Sequence, residues 1–217
     1  MNSQLIMVPV FFLVWLVWEY RLFYPIRLVT TFFHEVGHAI ATVVTGGRVE
    51  DIRIHRYGGV ILRTGGNDFL VCNAGYLGSV LIGSLFFYLT YTRFQGVALV
   101  LMGLLMVLFV LLWVKNKATM IPCLIIAGIL IAAGVMLPGL AKLIIARFVG
   151  LCSVLYSFVV LKNYTRYCSS DPGTDAKKLG KETNTPPTVW AVAWCLISVC
   201  VLFALGQLMV TGKLPGQ

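Results

Sequence analysis

Seven apolar runs, each long enough or nearly long enough to cross a hydrocarbon layer of ~30 Å, recur at about 5–20, 25–45, 69–92, 96–114, 119–137, 140–161 and 187–211. A soluble fold could not cover them. Of the 217 residues, 59% are hydrophobic and 12% charged, against about 25% charged in a soluble domain. The expected fold is therefore an all-α polytopic membrane protein of about six to seven transmembrane helices, with the lipid bilayer as solvent for much of the chain. Met1 to Gln4 carries no Lys or Arg, and Leu5 to Tyr20 ends in bulky aromatics, so the first run is expected to stay as a span.

The formal net charge of +9 does not point to nucleic acid, because the basic residues are scattered among the loops rather than gathered on one face. When loops are assigned to alternate sides, Arg48, Arg53, Arg56, Arg63, Lys115, Lys117, Lys162, Arg166, Lys177, Lys178 and Lys181 share one side. Arg21, Arg27, Arg93, Lys142 and Lys213 share the other, and Arg147 falls inside a span. The richer side is expected to be cytoplasmic, with the N-terminus inside. The cysteines show no C-x-x-C pairing and read as reduced packing residues.

Two stretches interrupt the apolar pattern within what reads as a single membrane-embedded domain, 1–217. The first, 46–68, reads as a β-hairpin. Ile52 and Ile54 alternate with Arg53 and His55, Gly58-Gly59 is expected to supply the tight turn, and Val60-Ile61-Leu62 returns. The second, 162–187, reads as a polar loop containing Asp171 and Asp175. Trp15, Trp18, Tyr20 and Tyr24, with Trp113 and Trp190 at the opposite side, read as interfacial belts.

The chemistry lies in Thr31-Phe32-Phe33-His34-Glu35-Val36-Gly37-His38-Ala39-Ile40, an H-E-x-x-H pattern inside the apolar run 25–45. Residues four apart share a helix face, so His34 and His38 can reach one tetrahedral ion while Glu35 takes a proton from metal-bound water. Zinc suits these ligands and gives water a pKa of about 7. Ionisable groups in a membrane span are costly unless paired or functional, and this helix has three within five positions. A third donor must come from elsewhere. Glu19, Glu50, Asp51, Asp68, Asp171, Asp175 and Glu182 are the acidic candidates.

With this motif, the Gly-Gly strand region after it, and Asn73-Ala74-Gly75-Tyr76-Leu77-Gly78, the chain resembles the site-2 protease superfamily, and more closely its compact peptidase M50B-like branch. The resemblance covers about 25–80 and 169–195. In that superfamily a late aspartate completes the metal site, usually within an Asp-Gly pattern. Thr174-Asp175-Ala176 stands in its place here, which implies Asp175 as third ligand and Asp171 as runner-up. Peptide bonds of membrane-protein substrates are likewise implied by the resemblance.

Gly75, Ser79 and Gly83 form a small-residue stripe that lets this span press on a neighbour such as the His34 helix. Asn73 is a candidate for hydrogen-bonding substrate backbone or a developing oxyanion. The hairpin around Gly58 and Gly59 is a candidate for adding substrate as a strand. The expected function is a zinc metalloendopeptidase with Glu35 as base. Alternatives are a non-catalytic relative that binds membrane proteins and a metal transporter or sensor with the same ligands.

Overall fold

A computed structural model describes residues 16, 18–55, 58–92, 97–158 and 174–211. After a 3₁₀ turn at Arg21–Phe23 come α1 (Tyr24–Val44), β1 (Arg48–His55), β2 (Gly58–Thr64), α2 (Asp68–Leu89), α3 (Ala98–Trp113), α4 (Lys117–Met136), α5 (Gly139–Val154), α6 (Asp175–Thr183) and α7 (Pro187–Thr211). Three of these, α2, α4 and α7, are long and apolar enough to cross a membrane, and α3 is apolar but only 16 residues long. The expected six to seven spans are thus not reached by these criteria among the described residues. The run 5–20 lies almost wholly outside them. That at 140–161 is helical over Gly139–Val154 and again over Tyr156–Phe158, and beyond Phe158 it lies outside them.

Helix α1 is the axis of the molecule. Pro25 sits in its first turn, where the missing N–H costs nothing. Every residue from Arg27 to Ala39 is buried, so its polar groups face protein rather than lipid. Helix α2 crosses it at very short range: a Cβ on Gly37 would lie 2.2 Å from the Ala74 carbonyl oxygen, and one on Gly78 would lie 2.9 Å from Gly37 Cα. The expected stripe divides between two neighbours. Gly75 and Gly78 face α1, whereas a Cβ on Gly83 would meet the Gly150 carbonyl oxygen of α5 at 2.6 Å. Arg147, inside α5, donates from Nε to Thr90 Oγ1 at 2.9 Å and lies 4.1 Å above the Tyr91 ring, which supplies its charge with partners inside the bundle.

The hairpin forms an antiparallel pair with Ile54 opposite Gly59, Ile52 opposite Ile61, and a bulge between Val49 and Asp51. It corrects one expectation. Gly58 and Gly59 do not make the turn; they begin β2, paired with His55 and Ile54, and the chain reverses between His55 and Gly58. A two-residue reversal needs only the two intervening positions, which lie outside the described residues.

The outer edge of β1 lies against the connection between α3 and α4 and the start of α4. Its Ile54 N–H donates to Thr119 Oγ1 at 3.0 Å, and Asp51 Oδ1 accepts from Lys115 N–H at 2.8 Å. Since the Ile54 N–H points away from β2, Ile54 and Gly59 are a non-hydrogen-bonded pair. By alternation, the N–H and C=O groups of Gly59 and Ile61 point outward from the other side of β2, where they meet no backbone partner among the described residues.

Two further expectations change. Trp18 is 5% exposed and packs on Tyr156 at 6.2 Å between ring centroids, so it belongs to the core rather than an interfacial belt. The polar stretch 162–187 contains a short helix, α6, with Ala176, Leu179 and Gly180 buried. Trp190 docks it by donating from Nε1 to Thr183 and Thr185 hydroxyls. The described cysteines (Cys72, Cys123, Cys152, Cys195 and Cys200) are free thiols, as packing residues would be.

Candidate active site

His34, Glu35 and His38 lie mid-way along α1 on one face, 5%, 3% and 3% exposed. Nδ1 of His38 meets the Val71 carbonyl oxygen at 2.6 Å. A carbonyl can only accept, so that nitrogen carries the proton and the Nε2 lone pair points into the site. The two Nε2 atoms stand 3.0 Å apart, a separation at which two lone pairs need a proton or a cation between them.

Asp175, the first residue of α6, completes the arrangement. Its Oδ2 lies 3.2 Å from His38 Nε2 and 3.5 Å from His34 Nε2. Ligand bonds of 2.0–2.2 Å in a tetrahedral site imply donor separations of roughly 3.3–3.6 Å. The triangle of 3.0, 3.2 and 3.5 Å is close to one face of such a tetrahedron. His34, Glu35 and His38 also form a group whose ligand atoms all lie within 4.8 Å of one another and could hold a metal ion. Two carboxylates therefore compete for the role of third donor. The Asp175 oxygen is at contact distance from both nitrogens, while Glu35 turns toward the hairpin, where a Cβ on Gly59 would come within 2.5 Å of its Oε1. Asp171 lies outside the described residues.

Gly75 is the floor of this site. A Cβ there would stand 2.4 Å from both Nε2 and Cε1 of His38 and 2.6 Å from Cε1 of His34, so both rings rest on bare backbone. Around them stand Tyr76, whose ring centroid is 4.5 Å from that of His34, Tyr156 at 5.1 Å, and Trp194, stacked on Tyr76 at 4.0 Å. Asn73 has both ends of its carboxamide engaged: Nδ2 donates to the Phe69 carbonyl, and Oδ1 accepts from Trp194 Nε1 at 3.0 Å. It ties α2 to α7 behind the site.

The family model for Peptidase M50B-like proteins matches residues 6–205. The chain belongs to the peptidase M50B-like family. Membership in it is consistent with the site-2 protease superfamily and marks the protein as a membrane protein of a peptidase family. No curated protein and no solved structure matches this M50B-like chain.

Several residues of the M50B-like site carry no sequence signal of their role. Gly75 is legible as a packing residue of α2 but not as the platform for two imidazoles. Gly59 reads in sequence as a turn residue, whereas its lack of a side chain leaves room for Glu35. Tyr76, Tyr156 and Trp194 come from three separate segments, and no spacing connects them to His34. An open groove of about 430 Å³ runs beside β2, lined by Glu50, Ile61, Leu62, Arg63, Asp68 and Lys178, and joins the free strand edge to α6.

Proposed function

We propose that this protein is a zinc-dependent endopeptidase that hydrolyses peptide bonds of membrane-protein substrates within or at the edge of the bilayer. The observation that carries the reading is the donor triangle of His34, His38 and Asp175, buried beside Glu35. His34 and His38 would each contribute Nε2 to the metal, and Asp175 would contribute Oδ2. When bound, zinc supplies Lewis acidity and makes water acidic enough to lose a proton near neutral pH. Glu35 accepts that proton as the water oxygen attacks the carbonyl carbon, then delivers it to the nitrogen as the C–N bond breaks. Aromatic walls around His34 exclude bulk water and strengthen each of these charge interactions.

A substrate helix satisfies its own backbone hydrogen bonds, so it must be unwound against something that replaces them. The outward N–H and C=O groups of Gly59 and Ile61 on β2 are suited to that task, because strand addition exchanges one set of backbone bonds for another. Gly59 lies against Glu35, which brings a strand paired there next to the base. Gly58 begins the same strand beyond it. In this reading Asn73 holds α2 and α7 in place rather than touching substrate.

The hairpin, the α3–α4 connection and α6 share one end of the bundle. The Lys and Arg distribution supports a cytoplasmic position for that end and for the N-terminus. The test is a comparison of membrane peptides from cells expressing wild type and Glu35→Gln, with metal content measured on both purified proteins. Peptides that require Glu35, with metal retained in the variant, support the reading. Identical peptide profiles would overturn it.

A further inference from the structure

Resting on that reading, we infer that the Tyr156 hydroxyl donates the hydrogen bond that holds the scissile carbonyl oxygen as it becomes an oxyanion. Tyr156 follows the end of α5 and is 7% exposed. Its ring centroid lies 5.1 Å from that of His34, and its hydroxyl accepts a hydrogen bond from Thr31 Oγ1 at 3.3 Å. Thr31 stands three residues before His34 and four before Glu35, on the same face of α1. The hydroxyl is therefore held beside Thr31, whose Cα lies about one helical turn before those of His34 and Glu35 on that face.

A phenol both accepts and donates. Thr31 occupies an acceptor position on the oxygen, and among the described residues the Tyr156 proton has no acceptor. Buried donors in folded proteins almost always have partners, so one left over beside a reaction centre calls for a ligand. If the Thr31 bond existed only to dock α5 on α1, it would be complete without that proton. The rings of Tyr76 and Trp18 stand 6.4 and 6.2 Å away from that of Tyr156 and keep its surroundings apolar, where a preorganised donor is worth far more than in water.

The electron movements balance. Water oxygen bonds to the carbonyl carbon, giving its proton to Glu35, and the carbonyl π pair moves onto oxygen, where the Tyr156 O–H meets it. When that pair returns, the C–N bond breaks and Glu35 passes its proton to the nitrogen. Tyr156 keeps its own proton throughout, so its contribution lies in stabilising the oxyanion.

The experiment is Tyr156→Phe in the full chain, which retains the ring beside His34 and deletes only the hydroxyl. Its kcat on a peptide containing a mapped cleavage site should fall roughly 100-fold, with KM, metal content and melting temperature unchanged. Affinity for a phosphinic peptide built on the same site, whose tetrahedral oxygen mimics the oxyanion, should fall by a similar factor, while affinity for the cleaved product peptide should stay the same. If Tyr156→Phe keeps wild-type kcat and phosphinate affinity, the inference is wrong. It is equally wrong if the variant loses metal or melting temperature while kcat per metal-loaded enzyme is unchanged, since that describes a docking residue. Wild type that cleaves no more than Glu35→Gln removes the proteolytic reading and this inference with it, and is distinguishable because Tyr156 plays no part in that comparison.

Discussion

Adding one methyl group at Gly75 should disable the candidate metal site without replacing any of its donors. The new Cβ would stand 2.4 Å from His38 Nε2, whereas ordinary contact begins at 3.4 Å, so the ring must retreat by about 1 Å. It has no free direction. Its Nδ1 is bonded to the Val71 carbonyl at 2.6 Å, on the same helix as Gly75, and a shift of that size breaks either this bond or the donor triangle. The His34 ring, with Cε1 at 2.6 Å from the same Cβ, is pushed as well. Loss of such an orienting contact costs about 10- to 100-fold in metal affinity, or roughly 1.4–2.7 kcal/mol. Zinc affinity measured by chelator competition, with total metal by mass spectrometry, should show this for Gly75→Ala. Gly128→Ala, in α4 with open space around it, should match wild type. A Gly75→Ala protein that binds zinc as tightly as wild type would refute the idea that the rings rest on that backbone.

Three other outcomes are expected. Asp175→Ala should lower zinc occupancy below that of Glu35→Gln, whereas the reverse order by metal analysis would make Glu35 the ligand. Ile61→Pro removes one outward N–H from the free edge of β2 and should abolish cleavage with zinc retained. Ile54→Pro removes the bond to Thr119 instead, and should loosen the hairpin, as read by amide exchange across β1 and β2. Finally, burial opposes ionisation of Asp51, but hydrogen bonds from Arg53 and from the Lys115 and Asn116 N–H groups outweigh it and hold its carboxyl below its ordinary value. A depressed pKa contributes stability that is present above the unfolded value of about 3.9 and is lost as pH falls below it. Hairpin protection should therefore fade on acidification below about pH 4, and Asp51→Asn should remove that dependence.

The parts of the site that can be read in the sequence are those that one helix places together. His34, Glu35 and His38 form a unit through helical periodicity alone, and the hairpin follows from alternation at Ile52, Ile54 and Ile61. Asp175 is 141 positions beyond His34 in the sequence and is reached only through resemblance, because seven carboxylates are equally available by spacing. Helix α6 reads as a polar loop, although Ala176, Leu179 and Gly180 follow the i, i+3, i+4 pattern of a buried face. Lys177, Lys178, Lys181 and Glu182 around that short stripe conceal it. Hydropathy alone marks α1 and α3 as spans, whereas α1 is polar at its centre and α3 is 16 residues long, so among the described residues only α2, α4 and α7 have both the length and the apolarity of a crossing helix. The turn is misplaced because Gly-Gly signals a reversal when considered locally, while here Gly59 satisfies a tertiary demand, clearance for the Glu35 side chain, and a Cβ on Gly58 would meet nothing.

A two-stranded sheet with one edge against α4 and the other without a backbone partner among the described residues grows in only one direction. An extended segment that meets the outward groups of Gly59 and Ile61, which have no backbone partner among the described residues, can add to it, and a second copy of the same hairpin is one such segment. Two molecules meeting β2 to β2 would form a four-stranded sheet about a twofold axis, each covering the other's approach to Glu35. If the same edge pairs with substrate as proposed, activity per molecule would fall as the protein is concentrated in a membrane.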